Sequence, residues 1–116
     1  MKLLIVDDHS LIRRTVRELL ATSHDDVQEA SNGAEAVTLY ERQLPDWVIM
    51  DLQMKPVGGL AATRRIIARH PEARIIIFSQ YDEADLRISA QEAGATAYVT
   101  KDNLFALPDF IHSTSA

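Results

Sequence analysis

Five short apolar runs alternate along the chain with longer segments in which apolar residues recur every three to four positions. The short runs are rich in β-branched residues and have the length of strands, and they cover residues 2–6, 26–30, 47–50, 74–78 and 96–99. The first, third and fourth are apolar throughout, which is typical of strands covered on both faces. The second is more polar and predicts an edge strand.

The longer segments have the period of amphipathic helices. They cover 11–20, a stretch that opens at Asn32 and stops before Pro45, 59–70, 82–92 and 103–112. The first places Leu11 on its apolar face, and Glu35 stands three residues after Asn32, as in a capping box. Gly94 is placed to end the fourth helix in a left-handed conformation. Pro108 predicts a short or broken final helix.

Strict alternation of strand and helix predicts parallel strands joined by right-handed crossovers, because each helix must pack back onto the sheet. We therefore expect an α/β fold with a five-stranded parallel sheet in a doubly wound, flavodoxin-like arrangement of order 2-1-3-4-5. In such folds the ligand site lies at the carboxyl ends of the strands, where the first and third strands diverge. Residues 1–116 should form a single domain.

Composition narrows the class of protein. With 116 residues, 47% hydrophobic and 25% charged, the chain matches one globular domain. Its net charge of -5 argues against direct nucleic-acid binding. Without cysteine there are no disulfides or thiolate sites, and no apolar run is long enough for a signal sequence or a membrane span. We expect a cytoplasmic protein that contacts no membrane.

Chemistry-bearing residues follow four of the five predicted strands. Asp7 and Asp8 follow the first strand, Asp51 the third, Ser79 the fourth and Lys101 the fifth. Each alone has an ordinary explanation as a helix cap, a turn residue or a surface cation. Together they do not, because two carboxylates about 4 Å apart repel by roughly 4 kcal/mol at an effective dielectric constant near 20.

A divalent cation would remove that repulsion. Carboxylate oxygens suit Mg²⁺, which typically takes one or two protein carboxylates and keeps several waters. Asp51 is then left as a nucleophile that can form an aspartyl phosphate. Lys101 and Ser79 supply the ammonium and the hydroxyl that a charged phosphoryl group requires.

These residues also carry a family resemblance over essentially the whole chain. The pattern comprises Val6-Asp7-Asp8-His9, Asp51-Leu52-Gln53-Met54 with Gly59-Leu60, Ser79, Gly94-Ala95, Tyr98 and Lys101-Asp102. It resembles the receiver domain of two-component response regulators. The resemblance implies that Asp51 is the phosphoacceptor and that Mg²⁺ is bound by Asp7, Asp8, Asp51 and the main-chain carbonyl of Gln53.

The resemblance also implies partners and a switch. The phosphoryl donor would be a sensor histidine kinase or a phosphotransfer protein. Ser79 would move toward the phosphoryl group and Tyr98 would change rotamer, altering the surface of helix 4, strand 5 and helix 5. That surface would serve a homodimer or an output partner. The opening and the ending resemble receivers that precede helix-turn-helix output domains, and we expect no output domain within residues 1–116.

Several positions depart from the family pattern. Lys55 stands where proline commonly follows the methionine, and Gly58 replaces a frequent acid or asparagine. Gln80 and Tyr81 are two bulky residues after Ser79, and we expect them to restrict access to the phosphoryl site. Lys101 is followed by Asp102 rather than proline, so the isomer of that peptide bond stays open.

Three alternatives compete with the signalling switch. A hydrolase of the haloacid-dehalogenase type needs an acid two residues after the nucleophile, where Gln53 cannot transfer a proton. A flavodoxin-like nucleotide carrier needs a phosphate-cradling loop, which residues 8–11 do not provide. A receiver-like interaction module without phosphorylation is the third. We expect no enzyme activity beyond self-phosphorylation and self-dephosphorylation.

The histidines show no metal-ligand spacing. We expect surface roles for all four, with only the first close to the site: His9, His24, His70 and His112.

Overall fold

A computed structural model describes residues 1–22 and 25–112. The elements in chain order are β1 Lys2–Val6, α1 Ser10–Leu20, β2 Asp26–Ala30, α2 Gly33–Gln43, β3 Trp47–Asp51, α3 Gly59–Arg69, β4 Ile75–Ser79, α4 Ala84–Ala93, β5 Ala97–Thr100, a 3-10 segment Lys101–Ala106 and α5 Leu107–His112. Asp51 and Ser79 are the last residues of their strands and do not follow them. They pair with Phe78 and Thr100 on the neighbouring strands, which extends the ladder by one residue.

All five strands are parallel, and their order is β2-β1-β3-β4-β5. The predicted order is confirmed, and so is the edge position of the polar β2. The three runs that are apolar throughout form the central strands β1, β3 and β4. Of these, β3 and β4 are buried along their whole length. Because β1 and β3 are neighbours, their carboxyl ends lie side by side and bring together the acids that follow them.

The sheet has an apolar layer on each face. One layer joins alternate strand residues to α2, α3 and α4 through Ala36, Ile66 and Ala90. The other joins the remaining strand residues to α1 and α5, with Val16 and Ile111 among its members. Covering both faces explains why the central strands are continuously apolar and do not alternate.

The ends of the helices follow local chemistry. The Asn32 side chain accepts a hydrogen bond from the Glu35 backbone N–H at 3.0 Å and caps α2. Gly94 ends α4 at φ 101, as predicted, whereas Leu44 ends α2 at φ 46, a left-handed conformation that is strained for a leucine. Pro108 is the second residue of α5, a position that tolerates proline, so the helix is short as expected.

Leu11 contradicts its predicted place on the buried face of α1. Leu11 is 70% exposed and lies in the first turn of the helix, which begins at Ser10. The buried residues of α1 are instead Val16 and Leu20. Within residues 1–22 and 25–112, no helix combines the length and apolar character needed to cross a membrane.

Candidate functional site

The five polar residues singled out from the sequence meet at one edge of the sheet. Asp7 and Asp51 are buried, at 2% and 6% exposure, and Ser79 is buried at the end of β4. Lys101 is partly buried and Asp8 is exposed. An open cavity of about 640 Å³ lies over this edge, and its walls include Asp8, Asp51, Ser79 and Lys101.

Lys101 connects two of the carboxylates. Its Nζ donates a hydrogen bond to Asp7 Oδ2 at 2.9 Å and lies 3.2 Å from Asp51 Oδ1. Burial lowers the pKa of Lys101, but hydrogen bonds and attraction from Asp7 and Asp51 outweigh that effect and leave the pKa above its ordinary value. The ammonium therefore stays charged and ready to face a phosphoryl group.

Asp51 is held in an unfavourable environment for its charge. Burial raises its pKa, the negative charge of Asp7 raises it further, and Lys101 only partly offsets both, so that the pKa rises from 3.8 to about 6. A cation placed beside these carboxylates would relieve the repulsion. A carboxylate that is poorly solvated and only partly neutralised is also a better nucleophile than one in water.

His9 lies beside the site, as the sequence predicts. Its Nδ1 is 2.9 Å from Asp8 Oδ1 and 3.3 Å from Asp7 Oδ1, and its backbone N–H donates to Asp7 Oδ1 at 2.9 Å. The imidazole is exposed, as expected, and its partners are the two acids that precede it in the chain.

Of the other histidines, His70 departs from the surface prediction. Its side chain is 20% exposed, with Nε2 at 3.2 Å from Glu41 Oε1 and its ring against Tyr40. His112 is exposed as expected. His24 lies outside the described residues.

The donor set fits a hard divalent ion. Asp7, Asp8 and His9 each offer one ligand atom, and these atoms lie within 4.8 Å of one another. Asp51 shares Lys101 with Asp7, and Gln53 is exposed on the wall of the cavity. Carboxylate oxygens are the ligands that Mg²⁺ prefers. A bound cation would also relieve the repulsion between the carboxylates.

The loop after Asp51 is held against the end of β3. The Gly59 N–H donates to the Leu52 carbonyl at 3.0 Å, and a Cβ at Gly59 would overlap the backbone of Asp51. This close approach requires glycine and fixes the entry to α3. The loop contains a cis Lys55–Pro56 bond, whereas Lys101–Asp102 is trans.

Ser79 and Tyr98 are joined through the backbone of Tyr81. The Tyr81 N–H donates to Ser79 Oγ at 3.0 Å, and Tyr98 Oη donates to the Tyr81 carbonyl at 2.6 Å. The guanidinium of Arg87 stacks 4.6 Å from the centre of the Tyr98 ring and pairs with Asp82. A movement of Ser79 would therefore displace the backbone of Tyr81, to which the Tyr98 hydroxyl is hydrogen-bonded.

Gln80 and Tyr81 form part of the cavity wall next to Ser79. Gln80 is exposed and Tyr81 is half-buried. Both line the same cavity as Asp51.

The fold and the site define a class of protein. It is a doubly wound parallel sheet that presents three aspartates, a lysine and a serine at its carboxyl edge. The sequence profile of the response regulator receiver domain matches residues 3–110. The chain belongs to this family.

Relatives and solved structures agree with this assignment. The chain is 39% identical over 105 residues to the uncharacterized transcriptional regulatory protein YhcZ of Bacillus subtilis, covering 88% of this chain and 49% of the relative. It is 35% identical over 102 residues to the chemotaxis protein CheY of Listeria monocytogenes, covering 87% and 86%. A LuxR-family two-component response regulator from Aurantimonas aligns with a TM-score of 0.88 at 35% identity, over 97% of this chain and 82% of that one.

The chain spans about half the length of the first curated relatives that it matches, at 49% and 44%. The matches support a phosphorylation-dependent signalling switch and give no support to a hydrolase. The family, its fold and its class of function are thereby established for this chain.

Proposed function

We propose that Asp51 is the phosphoacceptor of this receiver domain. The observation that carries the proposal is its buried carboxylate at the end of β3, 3.2 Å from Lys101 Nζ and open to the cavity. One Asp51 oxygen attacks the phosphorus of the donor and forms a P–O bond. The bond from phosphorus to the donor's nitrogen or oxygen breaks, and the leaving group departs with the electron pair.

Lys101 has two tasks in this scheme. Before transfer it pairs with Asp7 and Asp51, and afterwards its ammonium can pair with a phosphoryl oxygen. Asp7, Asp8, Asp51 and the Gln53 main-chain carbonyl would hold Mg²⁺. When bound, Mg²⁺ neutralises charge on the phosphoryl oxygens. Asp7 is oriented for this by Lys101 on one oxygen and by the His9 backbone on the other.

We propose that Ser79 and Tyr98 convert phosphorylation into a change of surface. Ser79 Oγ would exchange its hydrogen bond from the Tyr81 N–H for a phosphoryl oxygen. Because Tyr98 is bonded to the carbonyl of the same Tyr81, its rotamer would respond. The surface that changes is formed by α4, β5 and α5, where a second copy of the chain or an output partner would bind.

The phosphoryl donor would be a sensor histidine kinase or a phosphotransfer protein. Relatives named as transcriptional regulators support an output in gene regulation for a longer polypeptide. The net charge of -5 supports signalling through protein contacts with no binding of nucleic acid by this domain. Residues 1–116 act as the receiver.

Incubation with acetyl phosphate and Mg²⁺ should add one phosphoryl group to the intact protein, measured by mass spectrometry. Hydroxylamine and base should remove it, as they do for an acyl phosphate. Asp51→Asn should lose the mass increase, whereas Asp26→Asn, a change at an exposed aspartate of the edge strand, should retain it. Labelling of Asp51→Asn at the parent's level would refute the assignment.

A further inference from the structure

His9 places a nitrogen donor at the face that the two acids present. Its Nδ1 is 2.9 Å from Asp8 Oδ1 and 3.3 Å from Asp7 Oδ1. In an octahedral ion with bonds of about 2.1 Å, neighbouring ligand atoms are about 3 Å apart. These separations match adjacent ligands on one ion, and they also match the hydrogen bonds that a metal-free imidazole makes to carboxylates.

The two oxygens of Asp7 are divided between different partners. Oδ2 accepts from Lys101 at 2.9 Å, and Oδ1 faces His9. Lys101 therefore occupies one side of this carboxylate and leaves the other to the group formed with Asp8. The cavity beyond it leaves room for water and phosphoryl oxygens to complete the coordination.

The His9 side chain has no evident part in holding the fold. It stands at the N-cap of α1, a position favoured by serine, threonine, aspartate and asparagine, yet its side chain caps no backbone N–H. The side chain is 72% exposed, and the described contacts of its ring are with Asp7 and Asp8. An unfavourable N-cap residue is a local cost of the kind that functional sites carry.

We propose that the His9 imidazole is a ligand of the metal site of Asp7 and Asp8, and that it shifts the site's preference from Mg²⁺ toward first-row transition ions. Imidazole suits these ions, whereas Mg²⁺ favours oxygen ligands and its own waters. This inference rests on the proposed function, which supplies the metal.

A histidine that merely compensates charge would behave differently. Removing it would change the affinity for every divalent ion of the same charge to a similar extent. Removing a nitrogen ligand weakens the binding of ions that accept nitrogen and spares Mg²⁺. The ratio of two affinities therefore separates the two explanations.

The experiment titrates Mg²⁺ and Co²⁺ separately into the parent protein, His9→Ala and His112→Ala by calorimetry, at one fixed pH near neutrality. His112 is exposed at the end of α5 and provides the matched control. In His9→Ala we expect the preference for Co²⁺ over Mg²⁺ to fall about tenfold or more, the range that even outer-shell losses reach. Mg²⁺ affinity should stay within about threefold of the parent value.

A second readout is the visible absorption of bound Co²⁺. Its band should shift in His9→Ala and stay at the parent position in His112→Ala, because only the former loses a nitrogen ligand. An unchanged affinity ratio together with an unshifted band overturns the role of His9 while leaving the proposed function intact. A parent protein that binds neither ion overturns both.

Discussion

Replacing Asp51 with asparagine should stabilise the metal-free protein at neutral pH, because the substitution removes a charge that folding buries. The Asp51 pKa rises from 3.8 to about 6 through burial and the repulsion of Asp7. A shift of about two units corresponds to about 3 kcal/mol, at about 1.36 kcal/mol for each unit. Asparagine also needs partners for its amide, so we expect a gain of about 1–3 kcal/mol.

The gain should depend on pH in a defined direction. A raised carboxyl pKa favours folding fully below 3.8, and this contribution is lost as pH rises through about 6. The parent should therefore lose stability relative to Asp51→Asn across this interval, and the difference should stay constant above it. Near the lower limit the two proteins should be about equally stable.

Urea unfolding with chelator present, followed by circular dichroism, measures this difference. Asp26→Asn is the control, because Asp26 is exposed on β2 and should show no such gain. Adding Mg²⁺ should narrow the gap, since the ion binds the parent's intact acidic site and stabilises its native state. Equal stability of the parent and Asp51→Asn at neutral pH would refute the reasoning.

Further substitutions test the backbone and the cavity. Leu44→Gly should stabilise the protein by about 0.5 kcal/mol or more, because Leu44 has a φ of 46. Ala21→Gly should destabilise it, because the C-cap of α1 is extended. Thermal melting that shows stability changes of the same sign for both variants would contradict this. Gly59→Ala should cost more than about 1 kcal/mol and Gly58→Ala less, because only the former would meet backbone atoms at overlap distance; equal urea midpoints would count against it. Gln80→Ala should shorten the phosphoryl half-life if the side chain shields the site, and a longer half-life would show that it positions water.

The fold could be predicted from the sequence because the hydrophobic periodicity and the capping or helix-breaking residues indicate the same elements. The apolar runs of the three central strands predicted helices packed on both faces of the sheet. Asn32 caps the beginning of α2 and Gly94 ends α4, as their side-chain and backbone properties predict. The exceptions are local. Leu44 adopts a left-handed conformation and Leu11 faces solvent, since tertiary position overrides propensity at both.

The residues of the site could be predicted from the sequence for a different reason. Parallel strands bring their carboxyl ends to one edge, so a polar residue at each strand end predicts a cluster without knowledge of distances. The role of Tyr81 was not readable in the same way, because its backbone N–H and carbonyl form the link between Ser79 and Tyr98. Backbone atoms are the same at every residue and leave no signal in the sequence.

His9 shows a similar limit. A histidine next to two aspartates is equally compatible with a surface position and with a ligand, and the direction of its side chain depends on how α1 begins. Its distances to Asp7 and Asp8 come only from the structure, and the proposed ligand role is based on them.

The most direct test of the central claim identifies the atom that carries the phosphoryl group. Borohydride reduces an acyl phosphate to the alcohol, which converts the acceptor aspartate into homoserine, and peptide mass spectrometry locates the change. After treatment with acetyl phosphate and Mg²⁺, we predict homoserine at position 51 and unchanged aspartate at positions 7 and 8. Homoserine at position 7 or 8, with Asp51 intact in a fully phosphorylated sample, would contradict the account.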